Sequence, residues 1–189
     1  MSIATGVRRA LILDRDGVIN EDSGYVHRAE ECRFVAGIFA MTQAFAARGF
    51  AIVVATNQSG IGRGLYGEAD YAAFMDWLHA EFGRNGVAIA AAYHCPDHPT
   101  AGVGAYRRDS PWRKPQPGMI LQAAIDLSLD LARSWTVGDR DSDIAAGRAA
   151  GVGRLVRYDA GAPRVERRED VWVVPRLADV TALLEAEEG

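Results

Sequence analysis

The stretch Ala10-Leu11-Ile12-Leu13-Asp14-Arg15-Asp16-Gly17 decides the fold. Four apolar residues in succession, with no polar face, read as a strand buried on both sides. The run stops on two carboxylates two residues apart, and Gly17 lets the chain turn away. Acids held that close repel, and a divalent cation is the simplest agent to hold them together. The expectation is magnesium-assisted chemistry at the carboxyl edge of a sheet.

Working outward, further compact apolar runs place strands over 9–14, 50–57, 88–95, 134–139, 154–158 and 171–174. Helical stripes lie between them. One is Ile38, Met41 and Phe45; a second is Tyr71, Phe74, Leu78 and Phe82; a third is Ile120, Ala124 and Leu127. Residues 141–150 read as a helix closed by Gly151, and 177–186 as the last helix. Strands alternating with helices predict an α/β, Rossmann-like doubly wound parallel sheet with helices on both faces, one domain spanning 1–189. Segments 20–34, 96–117 and 160–170 show no periodicity and read as loops.

Ligands of such sheets bind beyond the carboxyl ends of the strands. Three polar tips lie there: Asp14 to Gly17, Thr56-Asn57-Gln58-Ser59-Gly60, and Gly138-Asp139-Arg140-Asp141-Ser142-Asp143. Asp14, Asp16, Asp139 and Asp143 offer the oxygen ligands that Mg²⁺ takes. Thr56 and Asn57 can donate to a phosphoryl oxygen, although their segment is also good turn composition. Asp141, at a helix start, reads as a cap. Lys114 is the only lysine among 21 basic residues, which singles out a place where a compact ammonium is wanted and guanidinium is not.

The bulk numbers agree with a globular protein: 189 residues, 49% hydrophobic and 24% charged. A net charge of -4 gives no general attraction to nucleic acid or to acidic membranes. The polar start, residues 1–9, has no apolar leader core, and no run reaches membrane-spanning length. Two cysteines, Cys32 and Cys95, make no disulfide framework. The expectation is a cytoplasmic monomer with no nucleic-acid or membrane partner.

Asp-x-Asp-Gly, Thr-Asn, Arg-Lys-Pro and Gly-Asp-x-x-x-Asp occur in this order and resemble the four motifs of haloacid dehalogenase (HAD) superfamily phosphatases. The strings Asp22-Ser23-Gly24-Tyr25-Val26-His27, Cys95-Pro96-Asp97-His98-Pro99 and Arg113-Lys114-Pro115-Gln116-Pro117-Gly118-Met119 resemble its heptose-bisphosphate and histidinol-phosphate phosphatase branch. The resemblance implies a HAD-like fold and a Mg²⁺-dependent phosphatase acting on a small phosphorylated sugar. It makes Asp14 the nucleophile, Asp16 the proton donor and acceptor, and Thr56 and Lys114 stabilisers of the transferring group. Asp14, the Asp16 carbonyl and Asp139 would bind Mg²⁺, with Asp143 behind them. Arg15, Asp22, Ser23, Gly24, Tyr25, Asn57, Gln58, Ser59 and Arg113 would meet the substrate. The interval from Asp16 to Phe50 is too short for an inserted cap domain, so an open site is expected. Rival readings are a histidinol-phosphate or other metabolite phosphatase, a nucleic-acid 3′-phosphatase, and a non-catalytic phosphosugar-binding protein.

The chain departs from that branch in its long loop. Members hold a structural Zn²⁺ through Cys-x-His and a later Cys-x-Cys. Here Cys95 remains, but Asp97, Ser110 and Trp112 occupy the other positions, with His94, His98 and Asp109 nearby. No structural zinc is expected, with Trp112 packing in place of the metal. Arg107, Arg108 and Arg113 are candidates to clamp a second phosphate, Arg113 first.

Overall fold

The computed structural model describes residues 7–188; positions 1–6, part of the polar start, lie outside it. Ala10–Leu13 (β1) is an inner strand, third from one edge, of a seven-stranded sheet with Ala51–Asn57 (β2), Ile89–Cys95 (β3), Trp135–Gly138 (β4), Arg154–Tyr158 (β5), Glu166–Arg168 (β6) and Val171–Val174 (β7). The order is β3-β2-β1-β4-β5-β7-β6. β1 pairs in parallel with β2 on one side and β4 on the other, Leu13 facing both Val54 and Val137 in register. The chain reaches β3 at one edge and then returns to place β4 beyond β1. Such a reversal opens a crevice at the carboxyl ends of β1 and β4, where Asp14 and Asp139 follow.

Period-two alternation gives the central strands two buried faces, as in β1, where all four residues are buried. Leu11 and Leu13 point into a core with Ile38–Ala47 (α1), Glu68–Arg84 (α3) and Leu177–Glu188 (α6). Ala10 and Ile12 point the other way, toward Gly118–Leu127 (α4) and Asp141–Ala150 (α5). The two cores are unequal. The first holds Phe45, Phe74, Phe82 and Trp135, and the second, against α4 and α5, is built from smaller residues. The amino ends of α4 and α5 point at the crevice.

Three local expectations are corrected. Segment 160–170 contains β6, a three-residue antiparallel edge strand pairing Arg167 with Trp172. Its Glu-Arg-Arg sequence carries no apolar signal because an edge strand this short buries almost nothing. Ser59–Gly62 forms a one-turn helix (α2) where turn composition suggested a loop. β3 is an edge strand with most of its residues only half-buried, so its apolar run does not mean burial on both faces.

Candidate active site

β1 delivers Asp14 to the crevice, where its carboxylate is 9% exposed. Lys114 Nζ lies 2.9 Å from Asp14 Oδ1 and 2.6 Å from Asp143 Oδ1, and donates to the Ala55 carbonyl at 2.7 Å. Three N–H donors thus meet three acceptors in a closed pocket, a tetrahedral task that planar guanidinium cannot perform. The solitary lysine is explained by this geometry. Asn57 fixes its backbone from both sides, Nδ2 donating to the Lys114 carbonyl and Oδ1 accepting from the Lys114 amide, each at 3.0 Å. Burial works against the ammonium, but Asp14 and Asp143 outweigh it and hold its pKa above the ordinary value.

Asp14, Asp139 and Asp143 bring carboxylate oxygens within 4.8 Å of one another. Gly17, at φ +93, and Gly138 make this possible. A Cβ at Gly17 would meet Asp139 Oδ2 at 2.3 Å, and one at Gly138 would meet Asp143 Cβ at 2.1 Å. Asp143 also caps α5, accepting from the Arg140 amide at 2.9 Å. Burial pushes the Asp139 carboxyl up to about 7, with the charges of Asp14 and Asp143 adding to it. Asp14 is raised by burial too, against the pull of Lys114. Asp139 Oδ1 is buried without a hydrogen-bond partner. Three clustered acids, of which Lys114 pairs with only Asp14 and Asp143, with an orphaned Asp139 oxygen among them, fit a hard divalent cation.

Asp16 is held apart from this cluster. Arg15 Nη2 reaches both its oxygens, at 2.9 and 2.8 Å, Asn20 Nδ2 donates to Oδ1 at 2.9 Å, and Gln58 Nε2 donates to Oδ2 at 2.9 Å. The same Gln58 nitrogen donates to Thr56 Oγ1 at 2.9 Å, and Tyr66 donates its hydroxyl to Gln58 Oε1. The two carboxylates of the motif have separate side-chain partners. Asp14 faces Lys114 and Asp16 faces Arg15, while the Asp143 carboxylate, expected behind the metal set, lies directly with Asp14 and Asp139.

These groups open onto a cleft of about 500 Å³. Asp14, Asp16, Asp22, Gly24, Tyr25, Thr56, Asn57, Gln58, Ser59, Arg113, Lys114 and Asp143, all singled out in the sequence, line it. Three others do not. Ser23 and Asp139 are outside the lining, and Arg15 is fully buried, its guanidinium 4.8 Å from the Phe74 ring centre and its Nη2 donating to the Val26 carbonyl at 2.6 Å. Arg15 follows a strand tip in sequence, but the turn at Gly17 folds it under the site. His27 stacks on Tyr66 at 4.7 Å and packs the entrance wall. Sequence reasoning missed Gly60, Arg63, Tyr66, His98, Arg140 and Ser142 in the lining. The Gly138-to-Asp143 tip signalled Arg140 and Ser142, whereas nothing local marks Tyr66.

In the long loop, Arg108 turns away from the cleft. Its Nε lies 3.0 Å from Asp97 Oδ2, and Asp97 is 2% exposed. Trp112 is 36% exposed and meets Tyr93 edge-on at 6.1 Å, so the expected packing substitute lies at the rim, and the buried Asp97 carboxylate reaches outward to an exposed Arg108. Cys95 is buried beside Ser110, and burial raises its thiol pKa.

A Burkholderia mallei protein named D-glycero-alpha-D-manno-heptose-1,7-bisphosphate 7-phosphatase is 51% identical over 158 residues, covering 83% of this chain and 84% of the relative. The chain belongs to the HAD superfamily of phosphatases. The HAD-hydrolase-like family model matches residues 111–180, the part that carries Lys114, Asp139 and Asp143. A Vibrio cholerae relative, named for the beta anomer of the same bisphosphate, is 42% identical over 87% of this chain and 89% of its own. The crystal structure of D,D-heptose 1,7-bisphosphate phosphatase from B. bronchiseptica, complexed with magnesium and phosphate, superposes with a TM-score of 0.80 at 31% identity. It covers 95% of this chain and 99% of that one. As a HAD phosphatase this chain is a phosphoric monoester hydrolase. Among the described residues no helix is long and apolar enough to cross a membrane.

Proposed function

We propose that this phosphatase hydrolyses the C7 phosphate of D-glycero-D-manno-heptose 1,7-bisphosphate through an aspartyl phosphate on Asp14. The reading rests on one relationship above all: the two acids of Asp14-Arg15-Asp16 have separate partners, which suits them to separate tasks. An Asp14 carboxylate oxygen attacks phosphorus, forming the acyl-phosphate bond while the bond from phosphorus to the sugar O7 breaks. Asp16 gives its proton to O7. It then takes a proton from water, whose oxygen attacks phosphorus and breaks the bond to Asp14, releasing inorganic phosphate. Lys114 offsets the negative charge brought to Asp14, and Thr56 and Asn57 offer donors to the phosphoryl oxygens.

Asp14, Asp139 and Asp143, with the Asp16 carbonyl, are the groups that would hold Mg²⁺. The ion would neutralise phosphoryl charge beside the nucleophile.

The second phosphate has cations to meet. Arg63 and Arg113 line the cleft, and among the described residues neither is paired with a carboxylate. Arg140, by contrast, is spent on Asp22 at 2.6 Å. The names of the relatives divide between anomers, so the test carries both. Phosphate release is measured with Mg²⁺ from each anomer of the bisphosphate, histidinol phosphate and a 3′-phosphorylated oligonucleotide. The bisphosphate is expected to exceed the others by about a hundredfold in kcat/KM. A preference for histidinol phosphate or the oligonucleotide, or binding without release, would overturn the substrate assignment.

A further inference from the structure

Asp97 sits between two arginines that do different things. Its carboxylate is buried and faces Arg108, while its backbone carbonyl accepts a hydrogen bond from Arg113 Nη1 at 3.0 Å. Arg113 lines the cleft; Arg108 does not. Asp97 Oδ1 has no hydrogen-bond partner among the described residues, and Oδ2 pairs with Arg108, whose own side chain is 66% exposed, while Arg113 adds its positive charge nearby. A buried carboxylate without such a partner would be driven toward water and would carry its own backbone with it.

The rest of the loop is tied to the same point. His98 donates its amide to the Tyr106 carbonyl at 3.0 Å, and Arg108 donates its amide to that same carbonyl at 3.1 Å. Val103 donates to the Gly62 carbonyl at 2.7 Å, joining the loop to α2, which carries Ser59 and Gly60 into the cleft. There is no slack at this junction, since a Cβ at Gly62 would meet the Pro96 carbonyl oxygen at 2.3 Å.

We infer that the Asp97–Arg108 pair is a clasp that fixes the Asp97 carbonyl, and through it the Arg113 guanidinium, at the cleft wall where the second phosphate of the substrate is recognised. Arg108 is thus a positioning residue, acting through Asp97 and Arg113 and touching no substrate itself. This rests on the bisphosphate reading above. The clasp makes a specific demand: its loss weakens recognition of a substrate with two phosphates and spares one with a single phosphate and no second charged group.

The test compares wild type, R108Q, R108K, R113Q and the double variant R108Q/R113Q on the heptose bisphosphate and on p-nitrophenyl phosphate. R108Q is expected to raise KM for the bisphosphate about tenfold with kcat within about twofold, and to leave p-nitrophenyl phosphate hydrolysis unchanged. R108K restores most of the KM. The double variant is no worse than R113Q alone, because both changes remove one function. Equal losses on both substrates in R108Q, or losses that multiply in the double variant, would overturn the clasp. A loss in R113Q with none in R108Q would overturn it too, and would leave the substrate reading standing. If the bisphosphate is not turned over by wild type, that reading fails, and amide hydrogen exchange on substrate-free protein decides the clasp. R108Q then speeds exchange across 97–113 about tenfold while the central strands stay protected; unchanged exchange there overturns it.

Discussion

Lys114 Nζ lies 2.9 Å from Asp14 Oδ1 and closer still, 2.6 Å, to Asp143 Oδ1, with its third proton given to the Ala55 carbonyl. The ammonium is 5% exposed, so its charge acts at short range in a water-poor pocket. Lys114→Met leaves two buried carboxylates without their cation. A loss of about 3–5 kcal/mol in stability is expected, with turnover down by at least about a hundredfold. Lys114→Arg should fail nearly as badly, since a fork of donors does not fit a three-point pocket. Chemical denaturation with steady-state rates checks both, and near-normal turnover in K114R would contradict the geometry.

Arg15 holds Asp16 by both oxygens from a site fully shut off from water. Arg15→Lys keeps charge and loses the two-point grip. It should lower kcat about tenfold to a hundredfold on a sugar phosphate, whose leaving alkoxide needs a proton. The loss should be smaller on p-nitrophenyl phosphate, whose leaving group departs without one. Equal losses on the two substrates would mean that Arg15 matters to the fold alone.

Metal-free protein should be sensitive to pH in a defined direction. The Asp139 carboxyl is raised to about 7 from 3.8, so between those values the folded chain keeps a proton that the unfolded chain has released. Stability of the metal-free form therefore falls as pH rises through that window. Mg²⁺ offsets the clustered charge only once it is present, so the rise in Tm caused by Mg²⁺ should be small near pH 5 and larger near pH 8. Calorimetry with and without Mg²⁺ measures this, and equal shifts at both values would contradict it.

Gly17→Ala puts a methyl group where Asp139 Oδ2 stands, at a backbone φ of +93. The backbone strain alone is about 1–2 kcal/mol. The displaced carboxylate should add a weaker apparent affinity for Mg²⁺, read from the metal dependence of the rate. An unchanged metal dependence would remove Asp139 from the proposed ligand set.

The sheet was legible because buried strands announce themselves: Leu11 and Leu13 feed one core, Ala10 and Ile12 the other, and all read as apolar. β6 was not legible, since Glu166, Arg167 and Arg168 carry no apolar alternation and pair with β7 mainly through the backbone. Within the site, residues at strand tips were found because strand ends converge whatever their side chains do. Partnerships were harder. Asp14 and Asp16 look alike in sequence, and only the fold assigns one to Lys114 and the other to Arg15. Tyr66 and Arg63 escaped because the short helix α2 carries the chain back over the cleft, and a run rich in glycine gives no periodic warning of it.

The claim that Asp14 becomes phosphorylated is tested most directly by trapping. Asp16→Asn removes the group that protonates O7 as well as the one that takes the proton from water, so the trap uses p-nitrophenyl phosphate, whose leaving group departs without a proton. Only the water step is then slowed, and the covalent intermediate should accumulate. The variant is mixed with p-nitrophenyl phosphate and Mg²⁺, quenched in acid and digested, and the peptide bearing Asp14 is weighed. The account predicts one added phosphoryl group, located on Asp14 and absent from Asp14→Asn. Phosphate release with no phosphoryl group on Asp14 at any time point, or release sustained by Asp14→Asn at a near-normal rate, would contradict it.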